Sequence, residues 1–105
     1  MDNKPDPLLI QIVGTDRIIH EPARVAILAL LNAVEAVDFT FLLNETGMSQ
    51  GNLSSHLNKL EIAGYIDIRK TFMKKRPRTI VSMSKKGSES FRDYVESMKD
   101  FYNSL

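Results

Sequence analysis

Between Ser49 and Lys59 the chain carries side chains suited to hydrogen bonding with flat polar edges: Ser49, Gln50, Asn52, Ser54, Ser55, His56, Asn58 and Lys59. Asn and Gln can pair two-handed with adenine, and side chains this short let a helix backbone sit deep in a major groove. Leu53, Leu57 and Leu60 recur at i, i+4 and i+7, so on a helix they stack on one side and anchor it to a core. At about 100° per residue, Gly51, Asn52, Ser55, Asn58 and Lys59 then point away from the leucines, with Gln50, Ser54 and His56 at the flanks. A surface helix ordinarily carries Glu and Lys in such places, but here Glu61, late in the helix, is the one carboxylate. The alternative is an amphipathic helix whose polar face merely meets water.

A second set of residues follows directly. Residues 65 to 86 hold eight basic side chains and one acidic one, against four and eight in residues 1 to 64 and two and four in residues 87 to 105. The net charge of +1 therefore conceals blocks of −4, +7 and −2. The basic block is Arg69, Lys70, Lys74, Lys75, Arg76, Arg78, Lys85 and Lys86. Set against the polar helix, it is an electrostatic footprint for a polyanion; alone, such a run also fits a solvated charged hairpin.

These residues must be positioned by a small domain. A chain of 105 residues is enough for one core and too short to split, so residues 1–105 are expected to form a single domain. The absence of cysteine excludes disulfides and thiol-based sensing. No apolar run approaches the roughly 20 residues of a membrane helix, and the N-terminus MDNKPDPLL lacks the features of a signal peptide. A soluble cytoplasmic protein with no membrane partner is expected.

Taken in order, residues 1 to 7 are polar with two prolines and are expected to be loose. Leu8 to Val13 is too apolar for a free tail and must be covered by the core or by another subunit. Thr15 or Asp16 is placed to cap a short helix through Ile19. Pro22 suits the first position of the next helix. From Ala23 to Val34 its apolar residues lie nearly all round, which predicts a centrally buried hub. A short strand is expected over Val37 to Phe39. Thr40 is expected to cap a helix over Phe41 to Thr46, with Gly47 as its stop and Ser49 as the next cap.

A helix, a glycine turn and a second helix form the helix-turn-helix arrangement, whose second helix, here residues 49–63, is the one that enters a groove. Gly64 suits the left-handed position past its end, and Tyr65 to Lys70 alternates as a strand, with Ile66 and Ile68 opposite Asp67 and Arg69. Thr79 to Met83 returns antiparallel, leaving residues 73 to 77 as the tip of a wing, with Pro77 limiting the ladder. Ser84 caps a last helix along which Phe91, Tyr94, Val95, Met98, Phe101, Tyr102 and Leu105 form one apolar stripe. Its length exceeds what a small core absorbs. With Leu8, Leu9 and Ile12 it is expected to form a two-fold dimer interface; the alternative is that the helix folds back on its own domain.

The chain resembles the small winged-helix transcriptional regulators of the MarR and ArsR type, from about His20 to Lys86. The resemblance is carried by HEPARVAILALL, by SQGNLSSHLNKLEIAGYIDIRK with the wing, and by MSKKG where those proteins turn into their last helix. It implies a mainly α fold with a small β-hairpin wing and a homodimer on pseudo-palindromic double-stranded DNA. Carried onto matching positions, Ser49, Gln50, Asn52, Ser54, Ser55, His56, Asn58 and Lys59 would approach bases and nearby phosphates. Lys74, Lys75, Arg76 and Arg78 would be wing contacts over residues 72–78, alongside the strand cations Arg69 and Lys70. The chain departs from the ArsR pattern in lacking sensing cysteines, and it is short for a MarR protein, which argues against a large effector pocket.

No metal or other cofactor is expected, because His20 and His56 stand apart from any carboxylate cluster at ligand spacing. No nucleophile–base pair or phosphate-cradling loop suggests an enzyme. The reading is therefore a sequence-specific DNA-binding regulator whose effector, if any, is unknown; the alternative is a winged helix that docks on an acidic protein.

Overall fold

The computed structural model describes residues 4–105, so residues 1 to 3 of the segment expected to be loose lie outside it. Among the described residues the order is α1 (Pro7–Val13), α2 (Pro22–Ala33), β1 (Ala36–Asp38), α3 (Phe39–Thr46), α4 (Gln50–Ile62), β2 (Ile66–Met73), β3 (Arg76–Met83) and α5 (Lys85–Asn103). The strands form an antiparallel sheet in the order β1-β3-β2. The expected mainly α winged helix, with helix α4 and a hairpin wing, is the fold observed.

The core gathers Ile27, Leu28 and Leu31 of α2, Leu42 of α3, the three leucines of α4, Ile66, Val81 and Phe91. Leu53 and Leu60 are fully buried and Leu57 nearly so. Each such leucine contributes about 1.5–3 kcal/mol relative to exposure, and this clamps α4 by one face only. The predicted caps act locally: Ser49 accepts from the Asn52 N–H at 3.2 Å and Ser84 from the Gly87 N–H at 2.9 Å. Gly47 and Gly64 end their helices with φ of 67° and 82°, the left-handed region that glycine enters without penalty.

Several expectations change. Leu8 to Ile12 belongs to helix α1, which Asp6 caps and Pro7 opens. The helix predicted up to Ile19 is a single turn, in which the Asp16 carboxylate accepts from the Ile18 and Ile19 N–H groups. It goes no further because Glu21 is already extended (φ −151°) as the cap of α2. Asp38, not Thr40, caps α3, accepting from the Phe41 N–H at 2.8 Å. One residue thus ends β1 and starts α3, two positions earlier than predicted.

Helix α2 is buried on one side rather than all round: Arg24, Ile27, Leu28 and Leu31 face inward, while Ala26, Ala29 and Ala33 are exposed. Alanine leaves so little apolar area that no cover is required. The hairpin runs further than Pro77 was expected to allow, pairing Phe72 with Pro77 and Met73 with Arg76. Strand β1 reaches only Ile80 to Ser82 of β3, so Pro77 lies where that edge has no neighbour and its missing N–H costs nothing.

Helix α5 divides in two. Phe91 lies in the domain core with Tyr94 and Val95 packed against it, so this half folds back on its own domain. Beyond it α1 lies alongside, with Gln11 Nε2 donating to Ser97 Oγ at 2.7 Å. Met98 is buried there, whereas Tyr102 and Leu105 stay exposed, as do Leu9, Ile10 and Val13 of α1.

Candidate nucleic-acid interface

Every polar residue of α4 singled out in the sequence is exposed except His56. An open groove of about 570 Å³ separates the helix from the hairpin, with Gln50, Ser54, Asn58 and Glu61 on one wall and Ile68, Lys70 and Thr79 on the other. The leucines hold the helix by its opposite face, and Ser49 keeps its first turn from fraying. The result is a row of short amide and hydroxyl groups that ends at the Glu61 carboxylate and faces a lysine ammonium, able to exchange hydrogen bonds with base edges.

His56 has a different environment. Arg24, buried in the domain, donates through Nε to the Ile18 carbonyl at 2.5 Å and places Nη1 3.1 Å from His56 Nδ1. The Glu21 carboxylate lies 3.5 Å from the same nitrogen. Arginine only donates and a carboxylate only accepts, so Nδ1 serves one of them at a time: unprotonated it accepts from Arg24, and on the charged ring it donates toward Glu21. Burial raises the Glu21 carboxyl, but the backbone N–H groups of Arg24 and Ala23 and the positive charges of His56 and Arg24 outweigh it, so it titrates below its ordinary value. This network ties the loop before α2 to the middle of α4. The sequence signal for it was weak: one Glu and one Arg at the start of a helix, and a histidine 32 residues on from that Arg.

The basic block does not act as one surface. Strand alternation puts Lys70 on the groove side with Ile66 and Ile68, and Arg69 on the outer face with Asp67 and Ile80. Arg78, opposite Thr71, is held by Asp38 at 3.4 Å. Lys86 is committed elsewhere: its Nζ donates to the Ala63 carbonyl at 2.9 Å, satisfying the end of α4, and lies 5.4 Å from the Tyr65 ring centroid. Lys74, Lys75 and Arg76 remain exposed at the wing. Lys74 and Lys75 form its two-residue tip with φ of 53° and 65°, a conformation that normally selects Asn and Gly.

The wing is fixed to α4 by the junction between β2 and α5. The Tyr65 carbonyl accepts from the Ser84 N–H, and Ser84 Oγ donates to the Gly64 carbonyl at 2.6 Å. The Tyr65 hydroxyl donates to the Asp16 carboxylate; burial and that carboxylate both raise its pKa, so it stays a donor. Gly87 packs directly on the Tyr65 backbone, where an added Cβ would lie 1.9 Å from the carbonyl oxygen. The glycine of MSKKG therefore permits this close approach.

A helix held by one apolar face beside a cationic hairpin is the geometry of a groove-reading domain, and residues 23–102 match a family model described as a winged helix DNA-binding domain. This chain belongs to that winged-helix family. It is 37% identical over 79 residues to an uncharacterized protein of Methanocaldococcus jannaschii, covering 75% of this chain and 86% of that one. A transcriptional regulator homologue from Pyrococcus horikoshii superimposes with a TM-score of 0.88 at 27% identity, over 95% of this chain and 98% of its own. Regulators of the MarR and ArsR families share the fold. One assigned to the MarR family in Porphyromonas gingivalis has a TM-score of 0.67 at 18% identity, over 100% of this chain and 98% of that one. No helix among the described residues of this winged-helix chain is long and apolar enough to cross a membrane.

Proposed function

We propose that this winged-helix chain is a sequence-specific regulator of transcription that binds double-stranded DNA as a homodimer. Helix α4 enters the major groove, and the wing meets the backbone or the adjacent minor groove. The observation that carries the reading is the groove that Gln50, Ser54 and Asn58 of α4 share with Lys70, with the tip lysines Lys74 and Lys75 beyond it on the same hairpin. Asn52, Ser55 and Asn58 read base edges, while Lys59, Lys70 and the wing neutralise phosphates and supply most of the affinity.

Shape supports the pairing. The radius of gyration is 16.5 Å, against about 13 Å for a compact chain of this length, because the α1–α5 arm and the wing project from the domain. Leu9, Ile10, Val13, Tyr102 and Leu105 leave that arm apolar and exposed, and a second copy covers them in an isologous interface. Phe91 and Met98, expected in that interface, already have cover inside the protomer; Leu8, Ile12, Tyr94, Val95 and Phe101 lie partly covered beside them. Two α4 helices would then address half-sites roughly 34–36 Å apart, or a multiple of that.

Retention on mixed-sequence duplex DNA, measured against salt, tests the reading. The wild type should lose affinity steeply, and Lys75→Glu with Arg76→Glu should reduce the slope of log K against log salt by about 2 per protomer. An unchanged slope removes the wing from the phosphate contacts, and no retention at low salt removes the function. Sedimentation equilibrium should return twice the 11.9 kDa chain mass; a monomer at high micromolar concentration would end the dimer model.

A further inference from the structure

Phe72 and Pro77 stand opposite one another in the hairpin ladder, so their side chains leave the same face of the ribbon. Lys70 and Thr79, two residues closer to the domain on each strand, line the groove beside α4. Alternation therefore carries Phe72 and Pro77 on the face that, in the reading above, is turned to the nucleic acid. Phe72 is 74% exposed, and no other part of the described chain covers it. A hairpin serving only to carry charge has no use for an uncovered benzyl group, which forgoes about 1.5–3 kcal/mol of burial.

Its surroundings specify what covers it. Lys70 leaves the same face and Lys74 and Lys75 form the adjoining tip, while Arg76, opposite Met73, lies on the other face of the ribbon; all four are exposed, and none is paired with a carboxylate among the described residues. An apolar plate among cations fits a polyanion with apolar surface just behind its charges. Duplex DNA offers this in the minor groove, whose walls are sugar edges and whose floor opens onto base faces where a step unstacks. We propose that Phe72, backed by Pro77, is an apolar wedge that enters the minor groove beside the half-site read by α4. Deformability of the flanking steps then becomes a determinant of specificity that involves no hydrogen bond to a base. The inference rests on the DNA-binding reading and adds to it a role for an uncharged residue.

The test compares two duplexes of equal composition and about 30 bp, room for two half-sites: one of alternating TA steps, which kink readily, and one stiff A-tract. Dissociation constants are measured for both at one fixed salt concentration. The ratio of the A-tract constant to the TA constant should fall by about tenfold in Phe72→Ala, in line with the loss of one inserted apolar group. Phe72→Leu should keep most of the ratio. Lys75→Glu with Arg76→Glu should weaken both duplexes while leaving the ratio in place. A ratio unaltered by Phe72→Ala overturns the wedge, as does a Phe72→Ala variant that changes only the sedimentation of the DNA-free protein, which would show that a second copy covers the ring. Failure of the wild type to bind either duplex removes the regulator reading, and the wedge with it.

Discussion

The junction around Tyr65 and the tip of the wing lie on the same hairpin and are built on opposite principles. At the junction the polar groups are paired: Gly64 and Tyr65 carbonyls to Ser84, Ala63 to Lys86, and the Tyr65 hydroxyl to Asp16. Its one unusual backbone conformation falls on a glycine. At the tip two lysines adopt positive φ, and Phe72 and Met73 are 74% and 57% exposed. A left-handed residue other than glycine costs roughly 1–2 kcal/mol, so folding alone would not select this sequence. Strain and exposed apolar area are tolerated at the proposed DNA-facing end because the other end is closed so firmly. The junction sets the direction of the wing relative to α4; the tip provides what the wing does there.

The largest expected effect comes from breaking the closed end. Gly87→Ala drives a methyl into the Tyr65 carbonyl, a clash with backbone that no rotamer relieves. A loss of about 3 kcal/mol or more is expected in urea unfolding. Loss below about 0.5 kcal/mol would mean that α5 can shift off Tyr65 freely, and the contrast between the two regions would fail.

Relaxing the open end should act in the other direction. Lys74→Asn with Lys75→Gly supplies the residues a two-residue turn prefers, and the double variant should be more stable by about 1 kcal/mol while binding DNA more weakly. Greater stability with undiminished DNA affinity would show that the strained lysines serve no binding purpose.

The smallest effect sharpens the comparison from a third place, the Glu21–Arg24–His56 network behind α4. Glu21 titrates below its ordinary value in the folded protein, so its contribution is present above the unfolded value near 4.5 and is lost as pH falls through the lower folded value. Thermal melts between neutral pH and pH about 3 should therefore show a larger loss for the wild type than for Glu21→Gln. Parallel curves would mean that the cations beside Glu21 contribute nothing that depends on its charge.

Local rules made much of the fold legible. Leu53, Leu57 and Leu60 declare a one-sided helix by spacing alone, and Ser49, Gly47, Gly64 and Ser84 mark ends that depend only on neighbouring N–H groups and on φ. Sequence and structure differ where a cap has competitors or a segment carries no periodic signal. Asp38 outcompetes Thr40, and Leu8 to Ile12 is recognisable as apolar but not as a helix, because its partner on α5 is 86 residues away. Pro77 does not end the ladder because its tolerance depends on how far β1 extends, which no local rule states.

By itself the sequence determined that a polar-faced helix would be followed by a cationic hairpin, since helical and strand periods, caps and turns are written within a few residues of where they act. It did not determine which cations would share a surface with that helix. Packing sent Lys86 to the Ala63 carbonyl, strand pleating put Arg69 and Arg76 on the outer face, and Asp38 engaged Arg78, leaving Lys70 in the groove and Lys74 and Lys75 at the tip beyond it. Charge along a chain is one-dimensional, whereas the face a side chain occupies depends on pleat, register and partners brought from 20 to 40 residues away, and those exist only once the chain has folded.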